Sequence, residues 1–437
     1  MALDDKAKQV YAMFSPFPLT VEQNNLYVDL DKVRGQADII NRLSQRIRLS
    51  PDKATCQVLA GHSGCGKSTE LMRLQATLES IEPKYFVVFC DIYPTLDLND
   101  VDFPDLLLEL VRQIGDTLRT RVGVDLKPSY PKECVERIKK FLQSEVELQS
   151  IEVGTDLAKI MGTIRNSPDA RHKIREALEP HTDSLLRAAN DVIGQAVLEL
   201  AKKGYSGLAL LVDNLDKMPI RLKENSNCDT AEYLFINRSA QMTALECHVV
   251  YTIPLSLAYS HQEQFIKIRY GGHLPLVPAT KIAEPPPMSG PFDDGIAKFK
   301  EIVRKRLEQA GVSEAEAFPD AGVFNELIRL SGGQPTELMT IMREAIISEG
   351  LPITNSALDR ARREGRREYS RILLAEHMGI IQEIAKKGNF ERKAENEELF
   401  RQLLNSRAVL QYVNDSEWYG LNPMVADLIT EKKGSSK

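Results

Sequence analysis

Nine consecutive residues, GHSGCGKST at 61–69, carry the most specific chemical signal in this 437-residue chain. They satisfy the spacing G-x-x-x-x-G-K-[ST] with Gly61, Gly66, Lys67 and Ser68. Gly64 and Gly66 permit backbone turns that a residue with a Cβ resists, so successive N–H groups can converge on one phosphate. Lys67 adds a point positive charge for the β- and γ-phosphates, and the Ser68 hydroxyl offers a ligand to Mg²⁺. A helix is expected to begin at this point and to turn its positive end toward the same phosphates. Ser63, Cys65 and Thr69 complete the loop, Cys65 as a small filler or as a redox-sensitive thiol. A glycine-rich surface turn would not need the Lys-Ser pair at a helix start.

The second chemical element is LALLVDNLD at 208–216, a buried strand that ends in a carboxylate. Asp213 is placed to hold the water shell of Mg²⁺. Many hydrolysing ATPases follow this aspartate with a glutamate that orients the attacking water. Here that position is Asn214, which cannot act as a base. Asp216 is the replacement, acting through a water, or else it caps the turn after the strand. Nucleotide binding is therefore better supported by the residues than rapid turnover.

These residues need elements to position them. The segment 36–49 has apolar side chains at helical spacing, CQVLA at 56–60 is a short buried strand, and 68–80 is a helix. YFVVFCDIY at 85–93 is a second strand and 103–120 a helix. GLALLVDNLD at 207–216 and HVVYTI at 248–253 are further strands, separated by a helix at about 229–245, and HLPLVPATKI at 273–282 is an edge strand. The alternation implies a parallel sheet with crossover helices. The proline run in EPPPMSGP at 284–291 ends this region, and helices follow at 293–310, 321–330 and 335–349. From 368 to 430 the order helix, helix, hairpin at 408–422 and closing helix suggests a winged-helix module.

The three motifs GHSGCGKST, LLVDNLD and SGGQP at 331–335 together resemble AAA+-related STAND and archaeal-type ATPases, with origin-recognition and transposition ATPases as relatives. The resemblance implies an α/β P-loop NTPase core with a parallel sheet, then an all-helical lid and a C-terminal winged-helix module. The expected boundaries are an N-terminal extension at 1–35, a core at 36–283 with a helical insertion at about 125–203, a lid at 292–350 and a winged helix at 356–437. It also implies ATP and Mg²⁺ as cofactors, Gly333 and Pro335 near the adenine, and Thr252 as a sensor at a strand end, unless Thr252 is an ordinary strand-end residue. The position after the lid turn, often a sensor arginine in such proteins, is Thr336 here. Arg238 lies where an arginine finger would act on a neighbouring subunit, or is a surface arginine.

Composition bounds the rest. With 56 Lys plus Arg against 62 Asp plus Glu the net charge is −6, so no global positive field attracts nucleic acid. The six cysteines form no C-x-x-C pair, which argues against a zinc finger, and no signal peptide or membrane span is legible. A cytoplasmic, reduced protein is expected. One basic segment stands out: Arg360–Arg371 holds six arginines and two glutamates, for a local charge of +4. It suits phosphate contacts, a solvated helix face or an acidic protein partner. Trp418 and Tyr419 in the wing are either hairpin packing or a base platform.

The functional expectation is an ATP-driven switch with slow hydrolysis that controls self-association or a separate protein effector, in bacterial defence among other settings. The alternatives are a DNA-associated AAA+ loader or transposition-type regulator acting through the winged helix, and a non-catalytic interaction protein that uses ATP structurally.

Overall fold

The computed structural model describes residues 5–35, 38–126, 162, 165–223, 226–288, 290–414 and 416–434. Part of the expected helical insertion, from 127 to 161, lies outside them. In chain order the main elements are α1 (Asp5–Met13), α2 (Ile39–Arg48), β1 (Cys56–Gly61), α3 (Lys67–Ser80), β2 (Tyr85–Asp91), α4 (Phe103–Val122), α5 (Pro168–Leu178) and α6 (Thr182–Ala201). Then come β3 (Gly207–Asp213), β4 (His248–Pro254), α7 (Asp293–Gln309), α8 (Ala321–Leu330), α9 (Pro335–Glu349) and α10 (Asn355–Ile372). The chain continues with α11 (Met378–Lys387), α12 (Glu397–Asn405), β5 (Val409–Val413), β6 (Glu417–Leu421) and α13 (Pro423–Gly434). No helix among the described residues is long and apolar enough to cross a membrane.

The backbone divides into two compact units. One contains residues 40–60 and 71–275, and the other residues 1–39, 61–70 and 276–437. In the first, the strands lie in the order β2–β3–β4–β1. β2 pairs parallel to β3 from Tyr85↔Gly207 to Asp91↔Asp213, and β3 parallel to β4 from Ala209↔His248 to Val212↔Tyr251. Every residue of β3 and β4 is buried, as strands covered on both faces must be. Helices α4 and α6 pack on β2 and β3 respectively and on each other. This is the parallel α/β core that the strand–helix alternation implies.

α4 starts at a reciprocal cap. The Phe103 N–H donates to the Asp102 carboxylate at 2.7 Å and the Asp102 N–H to Asp105 at 3.1 Å. Asp105 is buried, and burial raises its pKa while the Arg175 guanidinium opposes the shift. Arg175 donates to Asp105 at 2.9 Å and to Asp100 at 2.8 Å, and Arg171 donates to Asp97 and Asp100, each at 3.0 Å. α5 is thereby tied to the start of α4 by charge-assisted bonds.

Two sequence expectations change here. The continuous helix at about 229–245 is three short turns: Thr230–Glu232, a π-helical turn at Tyr233–Asn237, and Ser239–Met242. The Arg238 N–H donates to the Tyr233 carbonyl at 3.0 Å, an i→i+5 bond that breaks the helical period. The edge strand expected at 273–282 is only Leu276–Val277.

In the other unit, α7, α8 and α9 are the helices expected as the lid: α8 packs on α7 and α9, and α1 packs on α7 and α9. α10 packs on α9, α8 and α13, while β5 and β6 pair antiparallel from Val409↔Leu421 to Val413↔Glu417. The hairpin is flanked by α11, which packs on β6, and α12, which packs on β5. The expected winged-helix order of helix, helix, hairpin and closing helix is what these elements form.

Candidate functional site

The loop after β1 has the backbone that anion binding requires. Gly64 and Gly66 have φ of 86° and 96°, in the left-handed region that L side chains resist. Lys67 opens α3, with Ser68, Thr69 and Glu70 in its first turn. Lys67 is buried, and its ammonium donates to the carbonyls of Gly61 and His62, both at 2.8 Å. The lysine is thus held along the loop by two neutral acceptors, which a phosphate oxygen would outcompete through charge. Ser63, Ser68 and Thr69 are half-buried, and the Cys65 side chain is fully buried, which suits the filler role rather than a reactive thiol.

Two supports of this loop were not legible as site residues. Arg34, 2% exposed, donates to Glu70 at 3.0 Å and to the Cys65 carbonyl at 2.6 Å. One planar guanidinium thus braces both the loop and the first turn of α3. His62 is the other: its ring Nε2 accepts the Gln411 N–H at 2.8 Å, from the strand β5. Burial, then the Lys67 charge, lowers the His62 pKa to about 3, so the ring is neutral and able to accept.

The lid turn reaches the same loop. Pro335 is the first residue of α9, and the Thr336 N–H donates to the Gly64 carbonyl at 3.2 Å. Gly333, at φ 74°, is seated on the backbone of Thr280: the Thr280 N–H donates to its carbonyl at 2.9 Å, and a Cβ there would lie 1.8 Å from the Thr280 oxygen. The structure therefore brings Gly333 and Pro335 into one unit with the loop 61–70. Of the lid arginines, Arg343 stacks on the Tyr11 ring at 3.8 Å and bonds its hydroxyl.

The acidic residues occupy the carboxyl ends of the parallel strands, where ligands of open α/β sheets bind. Asp213 ends β3 and is buried, with Asp91 opposite it at the end of β2. Asp216 is buried in the short helical turn after β3. Thr252, fully buried, donates its hydroxyl to the Val212 carbonyl at 3.4 Å. Thr252 and Asp213 each lie one residue beyond the paired positions Val212↔Tyr251. Asn214 takes a left-handed backbone at φ 71° and donates its amide to Asp91 at 2.7 Å. Asp91 is thus a further acidic group at this strand end, one that only the β2–β3 register identifies.

Arg238 is engaged within the chain. It donates to both Glu179 oxygens at 2.8 and 2.7 Å and to Asp102 at 3.2 Å. Trp418 stacks on Tyr412 with centroids 4.3 Å apart, which makes it hairpin packing. The arginine segment lies on α10. Arg363, Arg367 and Arg371 are exposed, whereas Arg362 bonds Glu326 and lies 3.5 Å from Asp427.

The residues present fit a magnesium nucleotide. The glycine conformations, the Lys67 ammonium and the start of α3 suit the phosphates, and the Ser68 hydroxyl in the same unit is a hard oxygen donor of the kind Mg²⁺ takes beside phosphate oxygens and water. No family model matches the sequence, and no curated protein matches it. Solved structures show similarity over nearly their whole lengths. The Walker-type ATPase PABY2304 of Pyrococcus abyssi is 14% identical with a TM-score of 0.45, covering 96% of this chain and 99% of that chain. The Aeropyrum pernix ORC2 protein, solved as ADPNP and ADP complexes, is 13% identical with a TM-score of 0.41, covering 97% and 98%. Cdc6p from Pyrobaculum aerophilum is 11% identical with a TM-score of 0.39, covering 99% and 100%.

Proposed function

We propose that the chain is a Mg²⁺-dependent ATP-binding switch that hydrolyses slowly. The observation that carries this reading is the loop 61–69, whose Gly64 and Gly66 conformations and Lys67 placement suit a triphosphate. Bound Mg²⁺ would neutralise phosphate charge, with Ser68 and Asp213 as its protein ligands. Lys67 would bind and orient the phosphates, and Asp216 would orient water in place of the side chain that Asn214 does not supply. The tie from Thr336 to Gly64 supports a lid that responds to the loop. Self-association and a separate protein effector are the outputs we propose for such a switch.

The test is calorimetric titration with MgATP on the full chain, together with multiple-turnover phosphate release. Binding is expected in the wild type and lost in Lys67→Ala, with turnover lost in Asp213→Ala. Absence of MgATP binding by the wild type would refute the reading. A second reading, contact with nucleic acid through α10, is favoured by the exposure of Arg363, Arg367 and Arg371. It predicts salt-dependent duplex binding that charge reversal at these three positions removes.

A further inference from the structure

We propose that His62 is a positioning residue that couples the phosphate-binding loop to the hairpin β5–β6, so that nucleotide at the loop loosens the hairpin's attachment. The inference rests on the reading of 61–69 as a nucleotide loop. His62 is held at both ends. Its carbonyl accepts from the Lys67 ammonium at 2.8 Å, and its ring accepts from the Gln411 N–H at 2.8 Å. The carbonyl of the same Gln411 accepts from the Ala279 N–H at 3.0 Å, so β5 is pinned on both sides at a single residue. When Lys67 turns to phosphate oxygens, the His62 carbonyl loses its donor, and the backbone that carries the imidazole is free to shift.

The surface against which β5 lies is built to be opened. The Gln411 side chain is fully buried, and neither its amide nitrogen nor its oxygen has a hydrogen-bond partner. Gln334, in the lid turn, is also fully buried with both amide atoms unpartnered, and so is the Thr280 hydroxyl. Hydrogen bonds join these positions into one strip: the Thr280 N–H donates to the Gly333 carbonyl at 2.9 Å, and the Tyr412 hydroxyl donates to the Gly332 carbonyl at 2.8 Å. Polar groups buried without partners carry a desolvation cost that water refunds when the strip opens. On this proposal the polar, unsatisfied seam is the element that opens, and His62 lets the loop bias it.

The chain carries its own reporter, since Trp418 in β6 is its one tryptophan and stacks on Tyr412. The experiment measures amide hydrogen exchange at Gln411 and Trp418 emission, with and without the Mg²⁺ complex of adenosine 5′-(β,γ-imido)triphosphate. In the wild type, nucleotide is expected to speed exchange at Gln411 about fivefold or more, the lower end of ordinary coupling. His62→Leu removes the ring acceptor: exchange is expected to be fast already and insensitive to nucleotide. Because the tie no longer has to be broken, this variant is expected to bind the analogue about fivefold tighter. A merely structural loop residue would lose affinity instead. His62→Gln, which keeps an acceptor, is expected to restore the wild-type response. Bound nucleotide without faster exchange at Gln411 in the wild type, or weaker binding by a folded His62→Leu, overturns the coupling. Failure of the wild type to bind the analogue overturns the nucleotide reading itself, and this inference with it.

Discussion

The Asn214 amide donates to the Asp91 carboxylate across 2.7 Å, from a backbone in the left-handed region at φ 71°. Asparagine is among the few residues with a Cβ that tolerate this conformation, and its side chain answers the carboxylate of the neighbouring strand. Glutamate would meet both obstacles. Asn214→Glu is expected to lower stability by about 1–2 kcal/mol, from the left-handed backbone and the like charge on Asp91, and not to raise turnover. Thermal unfolding and phosphate release check both halves.

Arg34 and Glu70 form a buried ion pair beneath the loop, with the Cys65 carbonyl as a third member. Breaking a buried pair by removing one member strands the other charge. Arg34→Ala is therefore expected to cost about 3 kcal/mol in denaturant unfolding. Arg34→Lys keeps the charge and loses the planar fork, so it should recover only part. MgATP affinity, measured on folded protein, should fall in both.

Buried histidines set an acid limit. Burial lowers the pKa of His62 to about 3 and that of His248 to about 4, against an ordinary value of 6.5. Each is depressed in the fold, so the unfolded chain binds more protons between these values. Stability is complete above pH 6.5 and declines as pH falls toward 4, at up to about 1.4 kcal/mol per pH unit for each histidine. Urea unfolding across this range should show the slope, and His248→Gln should reduce it by about one proton's worth.

Gly333 and Gly311 share a left-handed backbone but differ in surroundings. A Cβ at Gly333 would lie 1.8 Å from the Thr280 carbonyl oxygen, whereas nothing lies within 4 Å of one at Gly311. Gly311→Ala is expected to cost about 1–2 kcal/mol, the backbone term alone. Gly333→Ala should exceed it clearly, since the lid turn must move away from Thr280. Melting temperatures of the two variants provide the comparison.

The arginines of α10 divide into structural and available groups. Arg362 joins Glu326 of α8 and Asp427 of α13, so Arg362→Ala should cost about 1 kcal/mol of stability. Arg363→Ala and Arg371→Ala should leave melting unchanged. A nucleic-acid test that includes Arg362 would therefore confuse lost binding with lost packing.

What the sequence disclosed was local. The loop 61–69, the apolar strand β3 and the lid turn 331–335 are contiguous patterns whose residue types state their chemistry. What it concealed depends on distant pairs: Arg34 with Glu70 are 36 residues apart, Asn214 with Asp91 123, and Gln411 with His62 349. No spacing rule connects such residues, and only the strand register and the packing of the hairpin bring them together. The helix at 229–245 misled for another reason. Its apolar spacing is helical throughout, but the i→i+5 bond at Tyr233–Arg238 inserts a wide turn, after which Arg238 engages Asp102 and Glu179.

The unit that contains the loop is assembled from residues 1–39, 61–70 and 276–437. A ribosome delivers the first two pieces before residue 71 and the third only after residue 275. The other unit, 40–60 with 71–275, has all its strands available before Leu276 emerges. The nascent chain can therefore complete its sheet first, while Lys67 waits without the lid and hairpin that later enclose its loop. The ties of the loop to Thr336 and Gln411 can form only after those residues have emerged, so a chain cut short before Gln411 lacks the bond that joins His62 to β5.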